Sequence, residues 1–375
     1  MKRRLEHMLK RVALAVLAQV ARRPGSAPTS SDCERVQRIL VVRPDERLGN
    51  AVLVTPLVVA LKGKFSRAHL VCLLGRRFWD LREFLPSADE FIPFDKISIA
   101  RNPWRLWALL RRLRAMHFDL VFDASGDHEV SFTHLALTAL SGGRFRIGHA
   151  RGGAARFYDV AVPIPEGPRH AAEMHLNLVR AVTHIRSHPR PLLRPRPDTG
   201  FADTFFHACA WDPALPLIVI HPGARSRKQW PAESFAEVGR LLQARAPMNI
   251  ALVWGPADAH AADAVLCAAP MIRPAGILPF GDFLSLVRRA TVFLSGDCGP
   301  MHLAAAAPPA GGVIAIFLAS DPEKYRPLGR HDRVLDGRNR CLTSEMVVDA
   351  VMEMVVRQRQ VAQALLPRAD VRASG

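Results

Sequence analysis

The stretch TVFLSGDCGPMHLAAA (291–306) decides the fold. Its first half, residues 291–297, is a short apolar run that reads as a buried strand. Gly299 lets the backbone approach a ligand closely, and Pro300 suits the first turn of the helix that residues 301–307 open. Strand, glycine turn and helix make one unit of a parallel sheet. A helix starting there aims its free N–H groups and its positive dipole end at the strand exit.

The same alternation repeats on either side. LIVIHPG (217–223), NIALVWG (249–255) and GVIAIFLAS (312–320) read as strands. Residues 232–246, 258–268 and 283–290 read as the intervening helices, and a last helix runs over 344–366. Earlier in the chain, strands are expected from Arg38, over HLVCLLG (69–75), over 91–94 and over DLVFDAS (119–125). Helices are expected over 50–62, on to Leu85, over 103–116 with Trp104, Leu106, Trp107, Leu110 and Leu113 among the apolar positions, and through Leu140. Short strands separated by helices argue a parallel sheet with helices on both faces. SHPRPLLRPRPDTG (187–200) interrupts the pattern with prolines that disfavour helix and sheet interior alike. The expectation is an α/β chain with two Rossmann-like doubly wound domains facing across a cleft. Its parts are an N-terminal segment and linker (1–34), domains over 35–190 and 200–343, and a C-terminal helix and tail (344–375).

Composition narrows the class. With 375 residues, 49% apolar and 23% charged, the chain is long and apolar enough for two cores and is not a disordered protein. No uninterrupted apolar run reaches about 18 residues, so no spanning helix is expected. Cys33, Cys72, Cys209, Cys267, Cys298 and Cys341 are scattered, with no CxxC pair, which argues against a zinc ribbon or disulfide scaffold and for reduced thiols in the cytoplasm. The net charge of +17 favours anionic partners: nucleotide phosphates, acidic lipid or lipid-linked glycans. Only seven of the 51 basic residues are lysines, and no recognisable nucleic-acid module accompanies them, so no nucleic-acid partner is expected. In MKRRLEHMLKRVALAVLAQVARR (1–23), Leu5, Met8, Leu9, Val12, Val16 and Val20 recur at helical spacing among basic residues. That segment reads either as an amphipathic helix on an acidic membrane surface or as a helix packed on its own domain.

Four loops at strand exits carry candidate chemistry. After 291–297 come Asp297, Cys298, Gly299, Pro300 and His302, arranged as a phosphate cradle with His302 as a donor; the plainer reading is a helix start with a buried histidine. HPGARSRKQWP (221–231) offers Gly223, Ser226, Arg227 and Lys228 to an anion, or is a basic surface loop. In WGPADAH (254–260), Asp258 either holds a ribose hydroxyl pair or caps a helix. VVRPDERLGNAVLVTP (41–56) places Asp45, Glu46 and Arg47 after the first strand, with Gly49 and Asn50 at the next helix start, or is a plain turn.

Taken in order, Arg43–Asn50, His221–Pro231, Asp297–Ala306 and FLASDPEKYRP (317–327) resemble the segments of glycosyltransferase family 9, the ADP-heptose:lipopolysaccharide heptosyltransferases, over most of residues 38–350. The resemblance implies a GT-B fold with an acceptor-binding N-terminal domain and a C-terminal domain that binds a nucleotide-sugar donor. It implies inverting transfer with no metal and no cofactor beyond the nucleotide sugar, by analogy ADP-heptose. It puts Lys228 on the donor phosphates, Asp297 in the donor site, Gly299, Pro300 and His302 around the diphosphate, and Asp258 close to the ribose carboxylate. The implied acceptor is a lipopolysaccharide core or related lipid-linked glycan, met at the cytoplasmic face of the inner membrane. Two departures stand out. Cys298 replaces the usual Ser or Thr, and a thiol is the poorer hydrogen-bonding group. Asn50 stands where the family usually carries its general base, and an amide cannot take the acceptor proton. Asp45 and Glu46 are the nearest alternative bases; Asp123 and Asp127, after the fourth strand, are further ones. The functions to weigh are an active transferase, a binding protein that kept the fold, and a GT-B enzyme of another kind such as a 2-epimerase.

Overall fold

The computed structural model describes residues 14–21, 24–86, 88–126, 130–183, 185 and 187–365. The chain divides between Pro195 and Arg196 into two compact units. The first holds β1 (Arg38–Arg43), β2 (His69–Gly75), β3 (Glu90–Phe94), β4 (Leu120–Asp123), β5 (Phe145–His149) and β6 (Val160–Val162), in the sheet order β3-β2-β1-β4-β5-β6. The second holds β7 (Leu217–His221), β8 (Asn249–Val253), β9 (Arg273–Gly276), β10 (Val292–Gly296), β11 (Gly312–Phe317) and β12 (Arg333–Asp336), ordered β12-β11-β10-β7-β8-β9. Read from β9, that is the same order again. All neighbouring pairs are parallel: Ile39 lies opposite both Leu70 and Leu120, and Val292 opposite both Ile218 and Gly312. This is the Rossmann order, and the architecture is GT-B. The order reverses between β1 and β4 and again between β7 and β10, and in such sheets ligands bind at the strand ends beside the reversal.

The inner strands are buried residue after residue rather than alternately: β7, β8, β10 and β11 throughout, β1 and β2 from their second residue. Unbroken burial means that both sheet faces are covered, which is why these strands read as continuous Val, Ile and Leu. On the first sheet the helix Trp104–Ala115 seats Leu113 against Leu40, Val42 and Val71. In the second unit Phe235 and, from the C-terminal helix Ser344–Leu365, Val347 and Val351 close over Ile218, Leu294 and Ile316. That last helix is therefore part of the second unit's core.

The single helix expected over 50–62 is two, Leu48–Leu53 and Thr55–Lys64. Pro56 has no N–H to donate to Val52, and the Thr55 hydroxyl donates to the Val52 carbonyl instead, at 2.8 Å. The stretch expected to be helical after β2 is a 3₁₀ segment, Arg76–Glu83, interrupted at Phe78. Residues 14–20 are helical, and Leu17 is buried among Leu135, Ala139 and Phe157. Of the two readings of the N-terminal segment, this part takes the packed one; residues 1–13 lie outside the described residues. Among the described residues no helix is long and apolar enough to cross a membrane.

Candidate functional site

In the second unit the exits of β7 and β10 lie side by side. The loop after β7 is held at its far end by Trp230, buried and edge-on to Phe235 at 4.9 Å. Upstream, the exposed Ser226 begins a 3₁₀ turn at a φ of 50°, in the left-handed region, and the turn ends at Lys228. The Lys228 Nζ sits 2.5 Å from Asp297 Oδ2, and the Ser320 hydroxyl donates to the same oxygen. The ammonium also lies 5.6 Å from the centroid of the Tyr325 ring. Asp297 is almost fully buried, whereas 36% of the Lys228 side chain is exposed. The helix Gly299–Ala306 begins two residues after Asp297, with Pro300 in its first turn, and His302 Nε2 stands 4.0 Å from Asp297 Oδ1. Its positive end therefore adjoins a buried carboxylate and a reachable ammonium.

A second group adjoins the first through Cys298. His221 Nδ1 accepts the Gly223 N–H at 3.2 Å, which puts the proton of the neutral ring on Nε2, 3.8 Å from Asp258 Oδ2. Burial lowers the His221 pKa, against the pull of the Asp258 charge, and favours the neutral ring. Asp258 stands at the N-cap of Ala259–Ala268 but makes no capping bond with its side chain. The carboxylate instead fills the space over Gly223, where a Cβ would lie 2.2 Å from Asp258 Cγ. Of the two readings of Asp258, the side-chain cap is absent. The Cys298 sulfur lies 3.8 Å from His221 Nδ1, and burial pushes the thiol up to about 12, so it stays protonated at neutral pH.

In the first unit Asp45 is the centre. Its Oδ1 accepts from the Asn50 amide at 2.7 Å; its Oδ2 lies 2.9 Å from Arg43 Nε and 3.7 Å from His134 Nε2. Burial alone would raise the Asp45 pKa, but Arg43, His134 and Asn50 together hold it far below the usual carboxylate range. Arg43 is the last residue of β1 and is itself buried, and it donates to the Ala124 carbonyl beyond β4. His175, on the helix Ala171–Thr183, is driven well below its ordinary pKa by burial and by the neighbouring Arg43 and His149. Gly75 matters here: a Cβ would strike the Asp45 carbonyl oxygen at 2.4 Å. Glu46 is half-buried and makes no hydrogen bond or ion pair among the described residues. Asp123 is engaged elsewhere, accepting the Tyr158 hydroxyl at 2.7 Å and the Ser125 N–H at 2.9 Å. Asp127 lies outside the described residues.

Within each unit the structure thus brings together most of the residues singled out in the sequence. Gly223, Lys228, Asp258, Asp297, Cys298, Gly299, Pro300 and His302 gather in the second, and Asp45 with Asn50 in the first; Ser226 lies exposed at the edge. Sequence reasoning passed over Arg43, His134, Ser320 and Tyr325 as side chains. Ser320 and Tyr325 lie inside the quoted FLASDPEKYRP stretch; His134 sits mid-helix with no local signal. Among the described residues no group of three or more His, Cys, Asp or Glu side chains is placed to hold a metal ion.

Comparison with known proteins adds an independent finding. The family model described as Glycosyltransferase family 9 (heptosyltransferase) matches residues 106–354. Lipopolysaccharide heptosyltransferase 3 of Escherichia coli K12 is 26% identical over 310 residues, 74% of this chain and 82% of that protein. A glycosyltransferase family 9 crystal structure from Veillonella parvula superposes with a TM-score of 0.72 at 20% identity, covering 86% of this chain and 97% of that one. The E. coli heptosyltransferase WaaC with ADP superposes at 0.62 and 20% identity, covering 86% and 100%.

Proposed function

Because the chain belongs to glycosyltransferase family 9 (heptosyltransferase), we propose that it is an inverting, metal-independent transferase that moves a sugar from a nucleoside-diphosphate donor, ADP-heptose by analogy, onto a lipopolysaccharide core or related lipid-linked glycan. The observation that carries the reading is Lys228: a partly exposed ammonium held by Asp297 beside the first turn of Gly299–Ala306, at the strand ends where the sheet order reverses. In glycosyl transfer the bond from the anomeric carbon to the diphosphate breaks, and negative charge collects on the departing diphosphate. Lys228, the N–H groups of that helix start and His302 stabilise this charge as it develops. Asp258 takes the ribose hydroxyls, with His221 Nε2 3.8 Å behind it. The C-terminal unit is then the donor domain and the N-terminal unit the acceptor domain.

The acceptor hydroxyl must lose its proton to a base. Asn50 cannot serve, and Asp45 is a weak base because Arg43 and His134 stabilise its ionised form. Glu46 carries no counter-charge and is the carboxylate of that loop best suited to accept the proton. The test is turnover of the full chain with a panel of nucleotide sugars, beside Glu46→Gln. Wild-type transfer is expected with an ADP-sugar, falling about 10²–10⁴-fold in the variant with ADP affinity unchanged. Asn50 supports a second reading, a binding protein without turnover. Absent wild-type transfer, together with a large gain in Asn50→Asp, is the result that favours it.

A further inference from the structure

Residues 96–118, KISIARNPWRLWALLRRLRAMHF, contain Lys96, Arg101, Arg105, Arg111, Arg112 and Arg114 and no acidic residue. They form the paired helices Lys96–Arg101 and Trp104–Ala115 on the first unit. The second helix buries Leu113 and seats Leu106, Leu109 and Leu110 on the core, so those positions face inward. Trp104, Trp107, Ala108 and Arg111 recur at three- and four-residue intervals on the opposite side. There the structure leaves large apolar groups in water: Trp104 is 75% exposed, Trp107 55%, and Ile97, on the neighbouring helix, 58%. The two indoles touch edge to face at 6.3 Å, and the Arg111 guanidinium lies 5.0 Å from the Trp107 ring centroid. Scattered exposed apolar residues need no explanation, but two adjacent indoles within an all-cationic stretch do.

Indole rings framed by arginines match one environment closely, the headgroup layer of an anionic bilayer. Rings enter the acyl boundary there while guanidinium groups remain among the phosphates. We infer that the face formed by Trp104, Trp107 and Arg111 docks the protein on an acidic phospholipid surface. In sequence this stretch lies outside residues 1–23, and it belongs to the first unit, whereas the candidate donor site belongs to the second. The inference goes beyond the transferase reading and stands without it, since vesicles lacking any sugar acceptor suffice as the probe. For a protein whose proposed acceptor is lipid-linked, such docking would replace a three-dimensional search by a two-dimensional one.

The experiment uses the full chain and vesicles of phosphatidylcholine alone or with 30% phosphatidylglycerol, a proportion chosen at roughly the acidic content that makes cationic segments bind. Co-sedimentation is expected only with the acidic vesicles. Brominated acyl chains should quench part of the tryptophan emission. In Trp104→Ser/Trp107→Ser the partition coefficient should fall at least about tenfold and that quenching should disappear. Arg101→Gln and Arg111→Gln should each weaken binding about fivefold, with the loss largest at low salt. Circular dichroism and the melting temperature identify any variant that has lost its fold, and the two arginine variants keep the test decisive in that case. Wild-type binding that is absent, equal on neutral vesicles or untouched by all these variants overturns the inference. So does a wild-type chain that ignores vesicles but uses this face to bind RNA or to form a dimer.

Discussion

The two units carry the same six-strand order, yet the charges at their strand exits are inverted. In the first, the buried partner is the cation: Arg43 is 4% exposed, anchored at the end of β1 and bound to the Ala124 carbonyl, and Asp45 is held against it. In the second, the buried partner is the carboxylate, Asp297 at the exit of β10, and the cation is the reachable member. A charge sealed between β1 and β4 is structural, because moving it would strand its partner in a low-dielectric interior. On the proposed reading, the reachable cation beside a helix start is the one that meets a diphosphate. One scaffold thus carries a buried cation in one half and a reachable one in the other.

That contrast breaks first at Arg43. Arg43→Ala leaves Asp45 with only His134 and the Asn50 amide and should cost about 3 kcal/mol in urea unfolding, with little change in ADP affinity. A loss near zero would mean that the pair is not locked. Lys228→Ala should act on both binding and stability. Turnover should fall about 10²–10³-fold and ADP binding should weaken in calorimetry, and the melting temperature should fall as well, because the buried Asp297 loses its ammonium partner. Unchanged ADP affinity would remove the donor-site assignment.

Acid sharpens the comparison next. The folded pKa of Asp45 is depressed, so its contribution to stability is present above the unfolded value of about 3.9 and is lost as pH falls toward the folded one. Asp45→Asn should therefore be less stable than wild type at neutral pH and lose less stability than wild type on acidification below about pH 4. Parallel acid limbs for the two proteins would contradict the clamp. The smallest effect belongs to Cys298→Ser. An oxygen at the N-cap of Gly299–Ala306 is a better acceptor than a protonated thiol, and a gain of about 0.5–1 kcal/mol in thermal unfolding is expected. A loss of stability would show that the sulfur's packing near His221 outweighs the cap.

How much of this was legible in the sequence depended on where each residue sits in its sheet. Most inner strands announce themselves because burial on two faces demands unbroken apolar runs, as in LIVIH of β7 and VFLSG of β10. At the edges of the second sheet, β9 (RPAG) and β12 (RVLD) have no fully buried residue, and β6 at the edge of the first has one. Short runs with so little apolar demand look like loop, and neither β6, β9 nor β12 was legible in the pattern; nor was the inner strand β5, whose FRIGH sequence is buried throughout yet carries Arg146 and His149. Trp104 and Trp107 stand among the apolar positions of the helix over 103–116, but the pattern alone does not say which of those positions face the core, and the structure leaves both exposed.

By itself the sequence determined the two repeated α/β patterns, the proline-rich break between them, and the glycine-bearing loops at the strand exits, because these follow from local periodicity and backbone chemistry. It also determined that position 50 carries an amide, which cannot take a proton as a carboxylate can. Only the tertiary structure decided what the charged side chains do. His134 reaches Asp45 from the helix Phe132–Leu140, Lys228 reaches Asp297 across 69 residues, and Ser320 reaches Asp297 across 23. Electrostatic partnership depends on separation in space, and a parallel sheet with helical crossovers brings together residues that no sequence window contains.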